Sequence, residues 1–342
     1  MTFIIVDTAN TFFRSRHVVR GDADIKVGMA LHIMFNSIKK AWNDFNGTHV
    51  IFCLEGRSWR KDFYEPYKRN RQELREAMTV KEQEEDKLFW ETFDEFKKFV
   101  IDKSNCTVLQ HPQLEADDLI AGFIQRHPND QHVVISSDSD FLQLVAPNVK
   151  QYNGITEQLI TVDGVFDIKG RKLSFVIGSD SKLKIGKQDE SFVPPDNWIE
   201  FALFLKCIRG DSGDNVFSAY PGARVKGTKN KVGLTEAFAD RNSKGYNWNN
   251  LMLQRWTDHN KVEHRVLNDY DRNRILIDLT CQPENIRQII DETIDTYCKP
   301  KDITQVGVRM LKFCSSFDMQ KIAESIQHYA EPFQAKYPSE DV

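Results

Sequence analysis

The sequence predicts an α/β fold centred on a parallel sheet, with a smaller helical region. Three observations lead there. Four apolar runs of strand length, FIIVD (3–7), HVIFCLE (49–55), CTVLQ (106–110) and HVVISSDSD (132–140), read as buried strands. Helical patterns separate them, and a β-helix-β alternation implies parallel pairing. Each of the first, second and fourth runs also ends in acid, and the third is followed by it.

The first helix is read from Leu31, Met34, Phe35, Ile38, Trp42 and Phe45, which recur on one helical stripe after Gly28. A second, about Asp86 to Ile101, stacks Phe89, Phe93, Phe96 and Val100; aromatics at this spacing are core. About 151–195 the pattern is irregular and is expected to be hairpins or loops inserted in the α/β unit. Helix resumes at DNWIEFALFLKCIRG and stops at Gly210. YPGARVKGTKNKVGLTEAFAD reads as a glycine- and lysine-bearing turn entering a helix, and Val262 to Phe333 as mostly helical.

At 342 residues, with 40% hydrophobic and 28% charged residues, the chain is long enough for one large domain or two. No apolar run approaches the roughly 18 residues of a membrane span, so no membrane partner and a cytoplasmic location are expected. The six cysteines are scattered without a CxxC pair, which argues for reduced core residues and against zinc. The formal net charge of −4 is uneven: RSWRKDFYEPYKRNR (57–71) holds six Lys/Arg against two Asp/Glu. Arg57, Arg60 and Lys61 in this strip, with its aromatics, suggest contact with nucleic-acid phosphates.

The carboxylates carry the chemistry. In an open parallel sheet the carboxyl ends of strands border the ligand crevice. Asp7, Glu55, Asp138 and Asp140 sit at such ends, Glu115, Asp117 and Asp118 follow the third strand, and Asp211 and Asp214 lie in RGDSGDN. Singly, each has a structural explanation: EADD can be a helix start stabilised by the helix dipole, Asp138 a cap, Asp211 and Asp214 a turn. Jointly they would repel one another without cations, and oxygen-only donors favour two Mg²⁺, or Mn²⁺, over zinc.

In order along the chain, Asp7, WRKDFYEPYKRNR, EADD, SSDSD and GDSGDN resemble the 5′-nuclease family of flap endonucleases, polymerase-associated 5′-nucleases and phage exonucleases. NDYDRNRILIDLTCQPENI is similar to the C-terminal part of its phage ribonuclease H members. The resemblance implies a PIN-like, parallel-sheet-centred core over 1–216 with a flexible arch about 71–86 and the insertion about 151–195. Residues 217–342 would form the helical region, carrying a helix-turn-helix-type duplex-binding motif. It also implies residue roles. Glu115, Asp117 and Asp138, with Asp7 nearby, would hold the ion that makes the attacking water; Asp140, Asp211 and Asp214 would hold the second, with Asp118 between. Lys68 and Arg71 would approach the scissile phosphate, and Tyr67 would stack on a base. Gly222, Lys226, Gly227, Lys229, Lys231 and Gly233 would grip duplex phosphates, with a K⁺ ion less assured because YPGARVKGTKNKVG exceeds the usual glycine hairpin.

Ungapped counting back from SWR puts Cys53 where relatives carry Asp; a two-residue gap puts Glu55 there, which restores a carboxylate. The expected activity is a magnesium-dependent 5′–3′ exonuclease, flap endonuclease and RNase H-like removal of RNA primers during DNA replication. Expected partners are branched or nicked DNA, RNA–DNA hybrid, a replication polymerase and a single-strand-binding protein, met by a monomer, in host cytoplasm if the source is a phage. A PIN-type endoribonuclease and a non-catalytic DNA structure-binding protein are the alternatives.

Overall fold

A computed structural model describes residues 1–178, 182–186, 197–228 and 231–338. The chain groups into two units, Met1–Ser58 with Ala77–Lys172 and Glu284–Val342, and Trp59–Glu76 with Leu173–Pro283.

The first unit is built on an eight-stranded, mostly parallel sheet. Its strands are β1 (Thr2–Asp7), β2 (His49–Cys53), β3 (Thr107–Leu109), β4 (Gln131–Ile135), β5 (Val149–Asn153), β6 (Gln158–Thr161), β7 (Gly164–Phe166) and β8 (Lys172–Leu173). They run in the order β3-β2-β1-β4-β5-β6-β7-β8. The four apolar runs are thus the adjacent parallel strands β3-β2-β1-β4, with Asp7 opposite Cys53, Cys53 opposite Leu109, and Val6 opposite Ile135. The strand order reverses at β1, with β2 and β3 added on one side and β4 on the other, and such a switch point is where ligands bind in open α/β sheets. β5 continues the parallel set and β6 and β7 return antiparallel. These strands occupy the first part of the stretch expected to be irregular. VKQYN has only two apolar residues, so its pattern is too weak to read as a buried strand; residues 179–181 and 187–195 of that stretch lie outside the described residues.

Side chains alternate across the sheet. Ile4, Val6, Val50 and Phe52 enter the large apolar cluster with Met34, Phe35, Phe96 and Phe333, buried beneath helices Ala23–Phe45, Val80–Lys103 and Ile326–Gln334. The long first helix begins five residues before Gly28, because the Asp22 carboxylate accepts from Ile25 N at 3.0 Å and caps it. Phe3 points the other way and meets Phe123 of helix Ala116–Arg126 edge-on at 5.0 Å. Gly122 of that helix allows Ile290 of helix Glu284–Tyr297 to close in, since a Cβ there would lie 2.2 Å from the isoleucine Cγ2.

Residues 71–86, expected as a polar arch, are largely helical. Arg69–Glu76 exposes every side chain except Asn70, and Thr79 and Glu82 exchange capping hydrogen bonds at the start of Val80–Lys103. Local capping and i,i+4 pairing sustain a helix whose composition offers no core face. Within the first unit Arg16 pairs with Asp86 at 2.7 Å and Lys26 with Glu85 at 3.0 Å.

The second unit is centred on the buried helix Trp198–Arg209, whose Phe201 and Phe204 pack against Phe238. Gly210, at φ +75, ends it as its position in the sequence suggested; a Cβ there would lie 2.3 Å from Val216 O. The chain then turns so that Asp211 and Val216 exchange backbone hydrogen bonds of 2.9 and 2.8 Å, and Asp214 lies inside that turn. Two-stranded ribbons Phe175–Ile177 with Leu183–Ile185, and Arg255–Thr257 with Glu263–Arg265, complete the strands. Helix Val266–Ile277 starts where the second ribbon ends, and the chain from there to Phe333 is mostly helical, as its pattern suggested. Among the described residues no helix is long and apolar enough to cross a membrane.

Candidate functional site

The alternation that sends Phe3 toward helix Ala116–Arg126 sends Asp7 the same way, and Cys53 beside it. At the start of that helix stand Glu115, Asp117 and Asp118, so the carboxyl end of β1 and the acidic helix start occupy the same face of the first unit. Asp7, Glu115 and Asp118 are buried.

The chain beyond β2 is stitched to the approach to this helix. Gly56 N donates to Leu114 O at 2.8 Å and Arg57 N to Pro112 O at 2.7 Å. Glu55 Oε2 accepts from Ala116 N at 3.2 Å, and Ser58 Oγ donates to Glu115 Oε2 at 2.6 Å. Only glycine allows this approach, since a Cβ on Gly56 would stand 2.0 Å from His111 O. Of the three acids in EADD, Asp118 performs the structural duty the sequence offered as its plain reading: its Oδ2 accepts from Glu115 N at 3.3 Å.

Beyond β4, Ser136 Oγ donates to Asp7 Oδ2 at 2.7 Å and accepts from Asp138 N at 3.0 Å. Asn10 Oδ1 accepts from Ser137 N and Oγ at 3.1 and 2.8 Å, and Asp138 Oδ1 accepts from Asp140 N at 3.1 Å. Ser58, Ser136, Asn10 and Gly56 were not singled out by sequence reading. Their signal was adjacency to strand-ending acids, which has little force when serine and glycine are common in loops.

Burial, and then the charges of Glu55 and Asp138, push the Asp7 carboxyl up to about 8 against the Ser136 hydrogen bond. The donor set is oxygen-only, and the charges of Glu55 and Asp138 disfavour the ionisation of Asp7. Those are the properties of a site completed by a hard divalent cation, and the residues present fit one. Cys53 lies fully inside the sheet, and burial together with Asp7 raises its thiol well above the ordinary value. A neutral thiol is a poor magnesium ligand.

In the second unit the basic strip and GDSGDN come together. Asp214 Oδ2 accepts from Tyr67 Oη at 3.1 Å, and Oδ1 accepts from Arg71 Nη2 at 2.5 Å. Lys68 N donates to Asp214 O at 2.8 Å, and Lys68 Nζ lies 3.8 Å from Oδ2. Lys68 adopts φ +55, a left-handed conformation that a non-glycine residue keeps at a cost of order 1–2 kcal/mol. Asp211 pairs with Lys206 at 2.7 Å; burial opposes its ionisation, but that ion pair and the amides of Gly213 and Asp214 hold it below the usual carboxylate range.

Three expectations change on this geometry. The Tyr67 ring, assigned to base stacking, is buried in a cluster with Cys207, Val216, Leu276 and Ile277 and steadies Asp214 through its hydroxyl. Arg60, assigned to nucleic acid, is buried, its Nε donating to Leu276 O at 2.9 Å and its guanidinium lying 4.6 Å from the Trp59 ring centroid. Gly227 N, assigned to phosphate, donates to the Glu236 carboxylate at 3.1 Å. The composition of these strips identified charge and aromaticity but not which groups the fold would consume. Arg57, Lys61, Gly222, Lys226 and Lys231 are exposed, Gly233 is buried, and Lys229 lies outside the described residues.

Residues 2–170 match the family model described as 5′-3′ exonuclease, N-terminal resolvase-like domain. Ribonuclease H of Enterobacteria phage T4 is 27% identical over 297 residues, covering 81% of this chain and 80% of the relative. Flap endonuclease Xni of Shewanella piezotolerans is 24% identical, covering 69% of this chain and 76% of its own. A crystal structure of the bacteriophage T5 flap endonuclease, a pseudo-enzyme-product complex with DNA and metal ions, superposes with a TM-score of 0.55 at 19% identity, covering 95% of this chain and 100% of that one. That likeness establishes a shared fold.

Proposed function

Because the chain is a member of the 5′-nuclease family of metal-dependent nucleases, we propose that it is a magnesium-dependent 5′-nuclease cleaving phosphodiesters near single-strand/duplex junctions, with RNA primers or flaps at replication forks as substrates. The observation that carries the reading is Asp7, buried at the end of β1 on the face that holds Glu115 and Asp118, fixed by Ser136 Oγ at 2.7 Å, and crowded by Glu55 and Asp138. Burial and then these charges hold its carboxyl above the ordinary range.

Asp7, Glu55, Glu115, Asp117 and Asp138 are the candidates to hold one ion, and Asp140, Asp211 and Asp214 those for a second. Ions held by these residues would supply Lewis acidity, which activates water and stabilises charge on phosphodiester oxygens. The protein's own contribution begins with order: Ser136 and Ser58 fix the rotamers of Asp7 and Glu115 by hydrogen bonds of 2.7 and 2.6 Å. Lys68 and Arg71 offer positive charge to the reacting phosphate, and Tyr67 holds Asp214 in the meantime. Exposed Lys226 and Lys231, with Lys229 in the same segment, are suited to phosphates of the flanking duplex.

The test is cleavage of 5′-labelled flap, nicked, RNA–DNA and single-stranded substrates, with Mg²⁺ and with EDTA, by the native chain and by Asp138→Asn. Mg²⁺-dependent products ending near the junction, absent with Asp138→Asn, are expected. Cutting that persists in EDTA, or full activity of Asp138→Asn, would overturn the assignment.

A further inference from the structure

We infer that Gln151 is a positioning residue that holds the Asp138–Asp140 loop in the shape a divalent ion needs. The inference rests on the reading of Asp138 as a metal ligand.

Gln151 lies on β5, opposite Val134 of β4, and is 2% exposed. The parallel ladder ends with Ser136 N donating to Tyr152 O at 3.1 Å, after which the chain leaves the sheet to form the acidic loop. From that point its carbonyls have no strand to accept from. The Gln151 side chain replaces the strand: Nε2 donates to Ser136 O at 3.2 Å and to Asp138 O at 2.5 Å. One amide thus spans the carbonyls of the two residues flanking Ser137 and fixes the backbone from which the Asp138 side chain departs. Because both partners are carbonyls, the amide has only one orientation that works.

That orientation leaves Gln151 Oε1 buried with no hydrogen-bond partner among the described residues. An unsatisfied buried acceptor costs about 1–3 kcal/mol, which an apolar side chain of the same shape would avoid. Leucine or methionine would in turn leave the carbonyls of Ser136 and Asp138 without this donor, so the amide leaves one acceptor unsatisfied and satisfies two. Keeping an amide there at that cost points to its other end, the loop it clamps, where an error of a few tenths of an ångström in carboxylate placement weakens metal binding. Nothing in VKQYN marks this role, because the partner groups are main-chain carbonyls thirteen and fifteen residues away.

Mn²⁺ binding to the full chain without nucleic acid, followed by electron paramagnetic resonance of free Mn²⁺, tests the inference together with melting temperature. The variants are Gln151→Met, Gln151→Leu and, as reference, Asp138→Asn. Losing an outer partner of a metal ligand weakens affinity by about 10–100-fold, so we expect that loss for both Gln151 variants with melting temperatures within a few degrees of the native chain. Mn²⁺ affinity within twofold of native in both Gln151 variants, while Asp138→Asn binds weakly, would sink the Gln151 role and leave the metal reading standing. Native-like Mn²⁺ binding by Asp138→Asn would sink the metal reading itself. Weakened binding that follows a drop of ten degrees or more in both Gln151 variants would make Gln151 a packing residue and overturn its positioning role.

Discussion

Arg71 Nη2 donates to Asp214 Oδ1 at 2.5 Å, joining the basic strip to the GDSGDN turn through a guanidinium that is 53% exposed. An ion pair so open to water contributes about 0–1 kcal/mol, which a phosphate dianion-like transition state can outbid. Arg71 is therefore held near its place without being committed to it. Arg71→Ala and Lys68→Ala should each lower the single-turnover rate on saturating flap substrate by roughly a hundredfold or more, the scale of losing one electrostatic stabiliser, with binding and stability little changed. If either variant binds weakly but reacts at the native saturated rate, its role is affinity and the catalytic assignment is lost.

The second-strand ligand can be decided between Cys53 and Glu55. Cys53 is locked into the sheet with its thiol raised by burial, whereas the Glu55 carboxylate reaches the start of the acidic helix at Ala116 N. Glu55→Gln should therefore slow cleavage by at least tenfold and recover in part at high Mg²⁺, while Cys53→Ala, a loss of sulfur volume, should cost stability and leave the saturated rate near native. The reverse pattern in folded proteins would move the ligand to Cys53.

Much of this is legible in the sequence. The strands β1, β2, β3 and β4 declare themselves because both faces are covered, which turns each into an unbroken apolar run, and the rule for parallel sheets directs attention to the acids at or just beyond their carboxyl ends. β5 did not declare itself: Lys150, Gln151 and Asn153 interrupt it, and Gln151 is polar for a tertiary reason. The basic strip was legible as charge, yet whether Arg60 would face phosphate or be buried against Trp59 depends on contacts with Leu276, more than two hundred residues away. The same holds for Tyr67, since an aromatic amid lysines and arginines suits a base and a buried cluster equally well.

Gly56 gives a prediction on structure alone. With a Cβ, residue 56 would sit 2.0 Å from His111 O and 2.7 Å from Leu114 O, both rigid backbone atoms. Gly56→Ala must part the β2 end from the loop leading to Glu115, breaking the Gly56 N to Leu114 O bond of 2.8 Å. Overpacking of this kind costs about 1–3 kcal/mol. Urea unfolding should show that loss, and at temperatures where the variant stays folded its apparent Mg²⁺ requirement should rise. A native unfolding midpoint would mean the loop yields freely and that its glycine is not required.

His49 supplies a pH dependence whose sign can be worked out. It is buried at the start of β2, where Nδ1 donates to Ala335 O at 3.1 Å and Nε2 accepts from Thr107 N at 3.2 Å and from Thr107 Oγ1 at 2.8 Å. Both ring nitrogens are thus used by the neutral imidazole, and a second proton would have to sit between Nε2 and a backbone N–H. Burial, aided by Lys301, lowers its value from 6.5 to about 4 against the pull of the Ala335 carbonyl. The folded chain therefore resists a proton that the unfolded chain accepts. The stability this contributes is fully present above the unfolded value near 6.5, erodes as the pH falls below it, and is gone once the pH has fallen through the folded value near 4. A depression of this size corresponds to roughly 3 kcal/mol in total, of which about 2 kcal/mol is spent between pH 8 and pH 5. Urea unfolding of the native chain and of His49→Gln at those two pH values isolates the term, because every other titrating group is common to both. The native chain should lose about 2 kcal/mol more than the variant on going to pH 5. Equal losses would show that His49 takes up its proton in the folded state, with Thr107 or the strand start moving aside to admit it.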